Sequence, residues 1–102
     1  MLDLRPSCEH CNKALPPHAM DACICSFECT FCAACVSTVL ANVCPNCGGG
    51  FSPRPIRPAR AWVGDVSLAK RPASVVVKHK PVDPATHKVL LDRLKLIPPE
   101  QR

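Results

Sequence analysis

Apolar and polar positions along this 102-residue chain predict one clear helix near the end and little regular structure before it. Leu90, Leu91, Leu94 and Ile97 recur along one side of a helical path, with Lys88, Arg93 and Lys95 off that stripe, so the helix is amphipathic. Asp83 is placed to cap it, Pro84 suits its first position, and Pro98-Pro99 stops it. A shorter helix is expected from Ala33 to Ala41, where Val36, Val39 and Leu40 make an apolar face and Asn42 is the stop. Ala22 to Phe27 is half apolar and reads as a strand or hairpin arm, and Ser74-Val75-Val76-Val77-Lys78 is a candidate strand. Trp62 to Val66 is too short to assign. The adjacent Pro16 and Pro17 make Ala14 to Asp21 an extended surface loop. Ser52 to Arg60 alternates proline and arginine and reads as a semi-rigid linker or basic arm.

Composition changes this picture at once. The first fifty residues have few large apolar side chains, too few to fold such a short segment unaided. They carry instead all nine cysteines, at 8, 11, 23, 25, 29, 32, 35, 44 and 47. Two residues between cysteines, as in Cys8-Glu9-His10-Cys11 and Cys44-Pro45-Asn46-Cys47, let both sulfurs turn toward one ion, and Gly48 supplies the positive φ that such a knuckle needs. Eight of the nine fit an interleaved order for two zinc ions. Cys8, Cys11, Cys32 and Cys35 would hold one; Cys25, Cys29, Cys44 and Cys47 would hold the other. Cys23 is left over and reads as an inert small side chain, with a ligand swap with Cys25 or a redox role as sharper alternatives. Cys32 and Cys35 would lie on the first turn of the Ala33–Ala41 helix, the end that favours thiolate charge.

Two other schemes compete. Disulfides are disfavoured by the odd count, by the knuckle spacing and by an N-terminus without a signal-like apolar run, so a cytoplasmic location is expected. Cys29, Cys32 and Cys35 before Cys44-Pro45 echo a ferredoxin run, but the fourth cysteine comes too late and the remaining thiols are left without a scheme. Metal coordination coupled to folding implies that the metal-free chain is largely unfolded. Eight matched thiolates also imply closed, structural sites and no catalysis at zinc.

The cysteine spacing is that of a RING-type cross-brace, with cysteine at the fourth ligand position where the eukaryotic family usually has histidine. Met1-Leu2-Asp3-Leu4-Arg5-Pro6, Ile24-Cys25-Ser26-Phe27-Glu28-Cys29-Thr30-Phe31-Cys32 and Cys44-Pro45-Asn46-Cys47-Gly48-Gly49-Gly50 also closely resemble a small bacterial family known only as a domain of unknown function, over residues 1 to about 60. That resemblance implies a zinc-bearing fold and no assigned activity. Ubiquitin-ligase function does not follow from the cross-brace. The places where the RING family usually has an aliphatic residue, an aromatic and a basic residue hold His10, no aromatic between Cys35 and Cys44, and Gly48, so only Pro45 agrees.

Charge divides the chain. Residues 1–50 sum to −2 and residues 51–102 to +7; eight thiolates and two zinc ions would take the first half to −6 and the whole to +1. The basic half therefore folds back on the head or seeks an acidic partner. Arg54, Arg57, Arg60, Lys70, Arg71, Lys78 and Lys80, with Phe51 and Trp62 for stacking, make nucleic-acid binding the alternative, while the histidines His10, His18, His79 and His87 have no matched ligand spacing and most are expected in solvent, His10 inside its knuckle either donating to a sulfur or pointing outward. No segment is long and apolar enough for a membrane span. The expectation is a small, metal-dominated α+β protein: a RING-like or treble-clef cross-brace head (1–50), a Pro/Arg-rich basic segment (51–82) and a C-terminal helix (83–98) docked on the head. It would serve as a non-catalytic zinc module binding another protein or itself, the alternative being nucleic acid through the basic tail.

Overall fold

The computed structural model describes residues 1–102. Its small α+β head is built round a three-stranded antiparallel sheet: β1 (Ala22–Ile24), β2 (Thr30–Cys32) and β3 (Ser52–Pro53), in the order β2-β1-β3. Ala22 pairs with Cys32 and Ile24 with Thr30, so β1 and β2 form a hairpin whose loop carries Cys25 and Cys29. On the other side Cys23 pairs with Pro53 and Ile24 with Ser52. Pro53 is tolerated because β3 is an edge strand, where a missing donor breaks no inner ladder. The Pro/Arg segment thus begins as part of the sheet. The sequence concealed this because proline argues against strands in general.

β2 leads directly into α1 (Ala33–Cys35), which continues as a π-helical turn, Val36–Leu40. Ala41 and Asn42 both take left-handed φ (49° and 59°) and end it, Asn42 N–H donating to the Val36 carbonyl at 3.0 Å. Asn42 tolerates that geometry, and its Oδ1 accepts from Phe51 N–H at 2.9 Å.

The apolar core is small. Phe31, Leu15, Leu40 and Val43 are almost fully buried, Phe51 meets Phe31 edge to face at 5.5 Å, and cysteines supply half of the main buried cluster or more. Arg54 lies among these groups, 4% exposed, its guanidinium donating to the carbonyls of Arg5 (2.8 Å), Leu15 (3.1 Å) and Pro16 (2.9 Å).

Beyond Arg57 the chain runs over the head as a strap. Ser74 N–H donates to the Leu4 carbonyl and Lys80 N–H to that of Glu9. The strand expected at Ser74–Lys78 does not form. Between those two anchor points no neighbouring strand runs alongside, so Val75, Val76 and Val77 stay exposed, and β-propensity without a partner makes no ladder. Trp62 to Val66 is a turn. α2 (Pro84–Leu94) then starts at its cap, where Asp83 accepts from Ala85 N–H and from the Thr86 hydroxyl. It turns His87, Leu90, Leu91 and Leu94 inward, and a 3₁₀ turn (Pro99–Gln101) follows Pro98. Arg102 ties the end to the head through the carbonyls of Asn42 and Gly48. No helix is long and apolar enough to cross a membrane.

The charge segregation does not act as expected. All six ion pairs are internal to one half of the chain, such as Arg5 with Asp3 and Glu9 or Lys88 with Asp92. The strap is held by hydrogen bonds, to main-chain carbonyls and to the His10 ring, and by α2's apolar face.

Candidate metal centre

The first thiol group gathers Cys8, Cys11, Cys32 and Cys35, whose sulfurs all lie within 4.8 Å of one another; Cys11 Sγ is 3.8 Å from Cys32 Sγ. Each comes from a local device. Cys8 and Cys11 sit in a knuckle closed by Cys8 N–H to Lys13 O (2.9 Å) and Asn12 N–H to Cys8 O (3.0 Å), with Asn12 at φ 62° where a glycine is commoner. Cys32 ends β2 and Cys35 ends α1. Glu9 fastens the knuckle to the hairpin: its N–H donates to Thr30 O at 3.0 Å, and its Oε2 accepts from Thr30 N–H at 2.7 Å and from Arg5 at 2.9 Å. Cys8, Cys32 and Cys35 are buried and Cys11 faces solvent.

The second group gathers Cys25, Cys44 and Cys47 within the same limit. Phe27 N–H points at Cys25 Sγ (3.3 Å) and Gly49 N–H at Cys47 Sγ (3.4 Å). Gly48 is required here. It has φ +80°, its N–H donates to Cys44 O at 2.8 Å, and an added Cβ would stand 3.0 Å from Leu94. Cys29, expected as the fourth ligand, is not drawn into this compact trio. It is buried beside it: burial pushes its thiol up, the Asn46 amide pulls the other way, and the neighbouring Cys25 adds to the rise. Cys23, on β1, belongs to neither group.

Burial, reinforced by neighbouring thiols, also pushes Cys35 and Cys44 well above the ordinary cysteine range. Without an ion these sulfurs are protonated; with one they must release protons, so metal affinity falls with falling pH. Both groups could hold a metal ion. Their order in sequence is interleaved, since Cys25 lies between the two halves of the first group and Cys44 and Cys47 lie beyond it.

The sequence placed most of the histidines in solvent; His18 and His79 are exposed, His10 is half-buried and His87 buried. His87 is buried on α2 with Nε2 3.1 Å from the Leu40 carbonyl, and His10 Nδ1 accepts from Val82 N–H at 2.9 Å. His79 Nε2 lies 3.2 Å from His10 O, so three of the four tether strap to head. For His87 a signal existed: it precedes Leu90, Leu91 and Leu94 by three, four and seven residues, on their face of the helix.

No solved structure matches this chain. An uncharacterised protein from Rhizobium meliloti (strain 1021) is 53% identical over 81 residues, which cover 79% of this chain and 89% of that protein. Residues 1–57, the whole of the sheet and both thiol groups, match the profile of a family described as protein of unknown function (DUF1272), and the chain therefore belongs to that small bacterial family.

Proposed function

We propose that this protein is a zinc-built interaction module without catalytic activity. On this reading one zinc ion is held by Cys8, Cys11, Cys32 and Cys35 and a second by Cys25, Cys44, Cys47 and the adjacent Cys29, in a RING-like, treble-clef cross-brace. The observation that carries it is the first group, four sulfurs from two segments distant in sequence, within 4.8 Å of one another. Four thiolates close a zinc site and leave no position for water, so the ion holds shape. The free state of all nine thiols fits a reducing, cytoplasmic setting. What the scaffold would present is its hairpin loop, where Phe27 is 70% exposed between Cys25 and Cys29.

Metal content by elemental mass spectrometry tests this. Two zinc ions per chain and no visible colour are expected; Cys29→Ser should lose one, and Cys23→Ser should keep both. A single zinc in the wild-type chain, or iron with absorbance near ~400 nm, would overturn it.

Nucleic-acid binding is a second reading, favoured by Trp62, 76% exposed on the strap with Arg60, Lys70, Lys78 and Lys80 exposed and outside any ion pair. Arg54 and Arg57 are committed to carbonyls, which leaves fewer cations for phosphate. Affinity for an oligonucleotide that falls steeply with salt would favour this reading over an apolar protein interface.

A further inference from the structure

Over residues 72–83 the strap crosses the head without a turn or bend. Its amides alternate. Ser74 N–H donates to the Leu4 carbonyl (3.0 Å), Val76 N–H to Ser74 Oγ (3.1 Å), Lys80 N–H to the Glu9 carbonyl (2.8 Å) and Val82 N–H to His10 Nδ1 (2.9 Å). Each of these is even-numbered, while the amides of Val75, Val77 and His79 have no partner within the protein. In extended backbone the N–H and C=O of alternate residues point to the same edge. One edge of the strap is therefore engaged, and the other, at 75, 77 and 79, is open to water. Pro72 and Pro81, which lack an N–H, bound the open stretch.

The same alternation sets Val76, Lys78 and Lys80 on one face and Val75 and Val77 on the other. All five are exposed, and neither lysine takes part in an ion pair. An open edge accepts an added strand, whose main-chain bonds give affinity and whose alternate side chains give selectivity. A second copy suits it poorly, since that would set two halves of charge +7 side by side, and lysine is a residue by which native edges discourage self-pairing. A polynucleotide would meet the lysines but could not complete a main-chain ladder. The edge instead calls for carboxylates opposite Lys78 and Lys80 and β-branched apolar side chains opposite Val75 and Val77.

We propose that residues 73–79 of the strap bind an extended peptide of alternating acidic and β-branched apolar residues, added as an antiparallel strand. This rests on the interaction-module reading and supplies the class of its partner. Residues directly opposite in an antiparallel pair share a face, so the peptide's apolar residues exchange hydrogen bonds with Val75 and Val77 while its carboxylates lie against the lysines.

The test uses the zinc-loaded full chain, ¹⁵N-labelled, titrated with a capped peptide of alternating glutamate and valine, about eight residues long to match the span between Pro72 and Pro81. The amides of Val75, Val77 and His79 should shift and gain protection from exchange, and those of Ser74, Val76 and Lys80, already engaged, should change little. N-Methylation of the peptide's valine amides should abolish binding, whereas N-methylation of its glutamate amides, on the far edge, should not. A peptide with lysine in place of glutamate should not bind. Val77→Pro removes a free N–H and breaks no bond to the head, so zinc content and the rest of the spectrum should hold while affinity falls about tenfold, the loss of one ladder hydrogen bond. No shift at millimolar peptide, equal binding of the lysine or valine-methylated peptide, or full binding by Val77→Pro would each overturn the proposal. So would self-association of the free protein that Val77→Pro abolishes, which would assign the edge to a second copy. Zinc measured on the same sample reports separately on the scaffold: two ions without peptide binding overturn the strand proposal alone.

Discussion

Residues 1–57 and residues 58–102 differ less in length than in what holds them. Of the 19 buried residues only Ser67 and His87 lie beyond Arg57. The head has the sheet, the thiol groups and a knot of carbonyls gathered by Arg54. The strap has no core of its own and borrows a surface from the head at Leu4, Glu9, His10, Leu40 and Gly48. A chain this short can therefore be organised in two tiers, one gathered round the thiol groups and one moulded on it. The difference predicts that damage to the head destroys both tiers, whereas damage to the strap spares the head.

The largest effect should come from the metal. A structural zinc contributes on the order of 10 to 16 kcal/mol of apparent binding free energy, comparable with or above the ~5 to 15 kcal/mol total stability of a domain. Chelation, or Cys32→Ser in the four-sulfur group, should therefore unfold head and strap together, read as loss of amide dispersion throughout. A strap that dissolves while the hairpin stays ordered under chelator would show that the core needs no ion.

Next in size is Arg54→Ala. It removes three charge-assisted hydrogen bonds, to the carbonyls of Arg5, Leu15 and Pro16, of which Pro16 O keeps the Ala19 N–H; hydrogen bonds to a charged group are worth about 1.5 to 3 kcal/mol each in mutational series, so a loss of roughly 3 kcal/mol is expected in zinc-loaded protein. Lysine should not rescue it, because a single ammonium cannot span acceptors served by two guanidinium nitrogens. Urea unfolding of the three chains measures this. An unchanged midpoint for Arg54→Ala would place the arginine in the strap tier despite its burial.

How much of this was legible in the sequence follows the same division. Elements fixed by local chemistry could be read: the helix begun by Asp83-Pro84 and stopped before Pro98, the short helix ending at Asn42, and the four thiols of the first group, whose spacing alone brings them together. Elements fixed by distant partners could not. Ser52-Pro53 is a strand only because β1 offers an edge, and Val75 to Val77 fail to be one because nothing lies alongside. Arg54 and Glu9 look like ordinary surface charges, and their burial depends on carbonyls and amides distant from them in sequence. Spacing also predicted a fourth sulfur in the second group, but the packing that sets Cys29 beside Asn46 is not encoded in spacing.

A smaller effect should separate the tiers directly. His87→Phe keeps an apolar ring on the inner face of α2 but removes the donor to Leu40 O, a net loss of about 1 kcal/mol. Hydrogen exchange should quicken several-fold in α2 and at Val82, with β1 and β2 unchanged. Equal acceleration in the sheet would mean that strap and head unfold as one unit.

The smallest expected effect lies at the start of α2, and its pH dependence has a definite sign. The Thr86 hydroxyl, followed by the Ala85 N–H, holds the Asp83 carboxyl below its ordinary range. A depressed folded value means that the cap's contribution is fully present above the ordinary carboxylate range and is lost as pH falls through the folded value. At neutral pH, Asp83→Ala should therefore speed exchange of the first-turn amides, Ala85 and Thr86, and little else. In the wild-type chain the same loosening should appear only in acid. Thiols there compete for protons and release metal, so the cap is measurable only while zinc content stays constant. If Asp83→Ala leaves those two amides unchanged at constant zinc, the start of α2 is set by its docking on the head and the cap is incidental. The second tier would then lack even a local signal of its own.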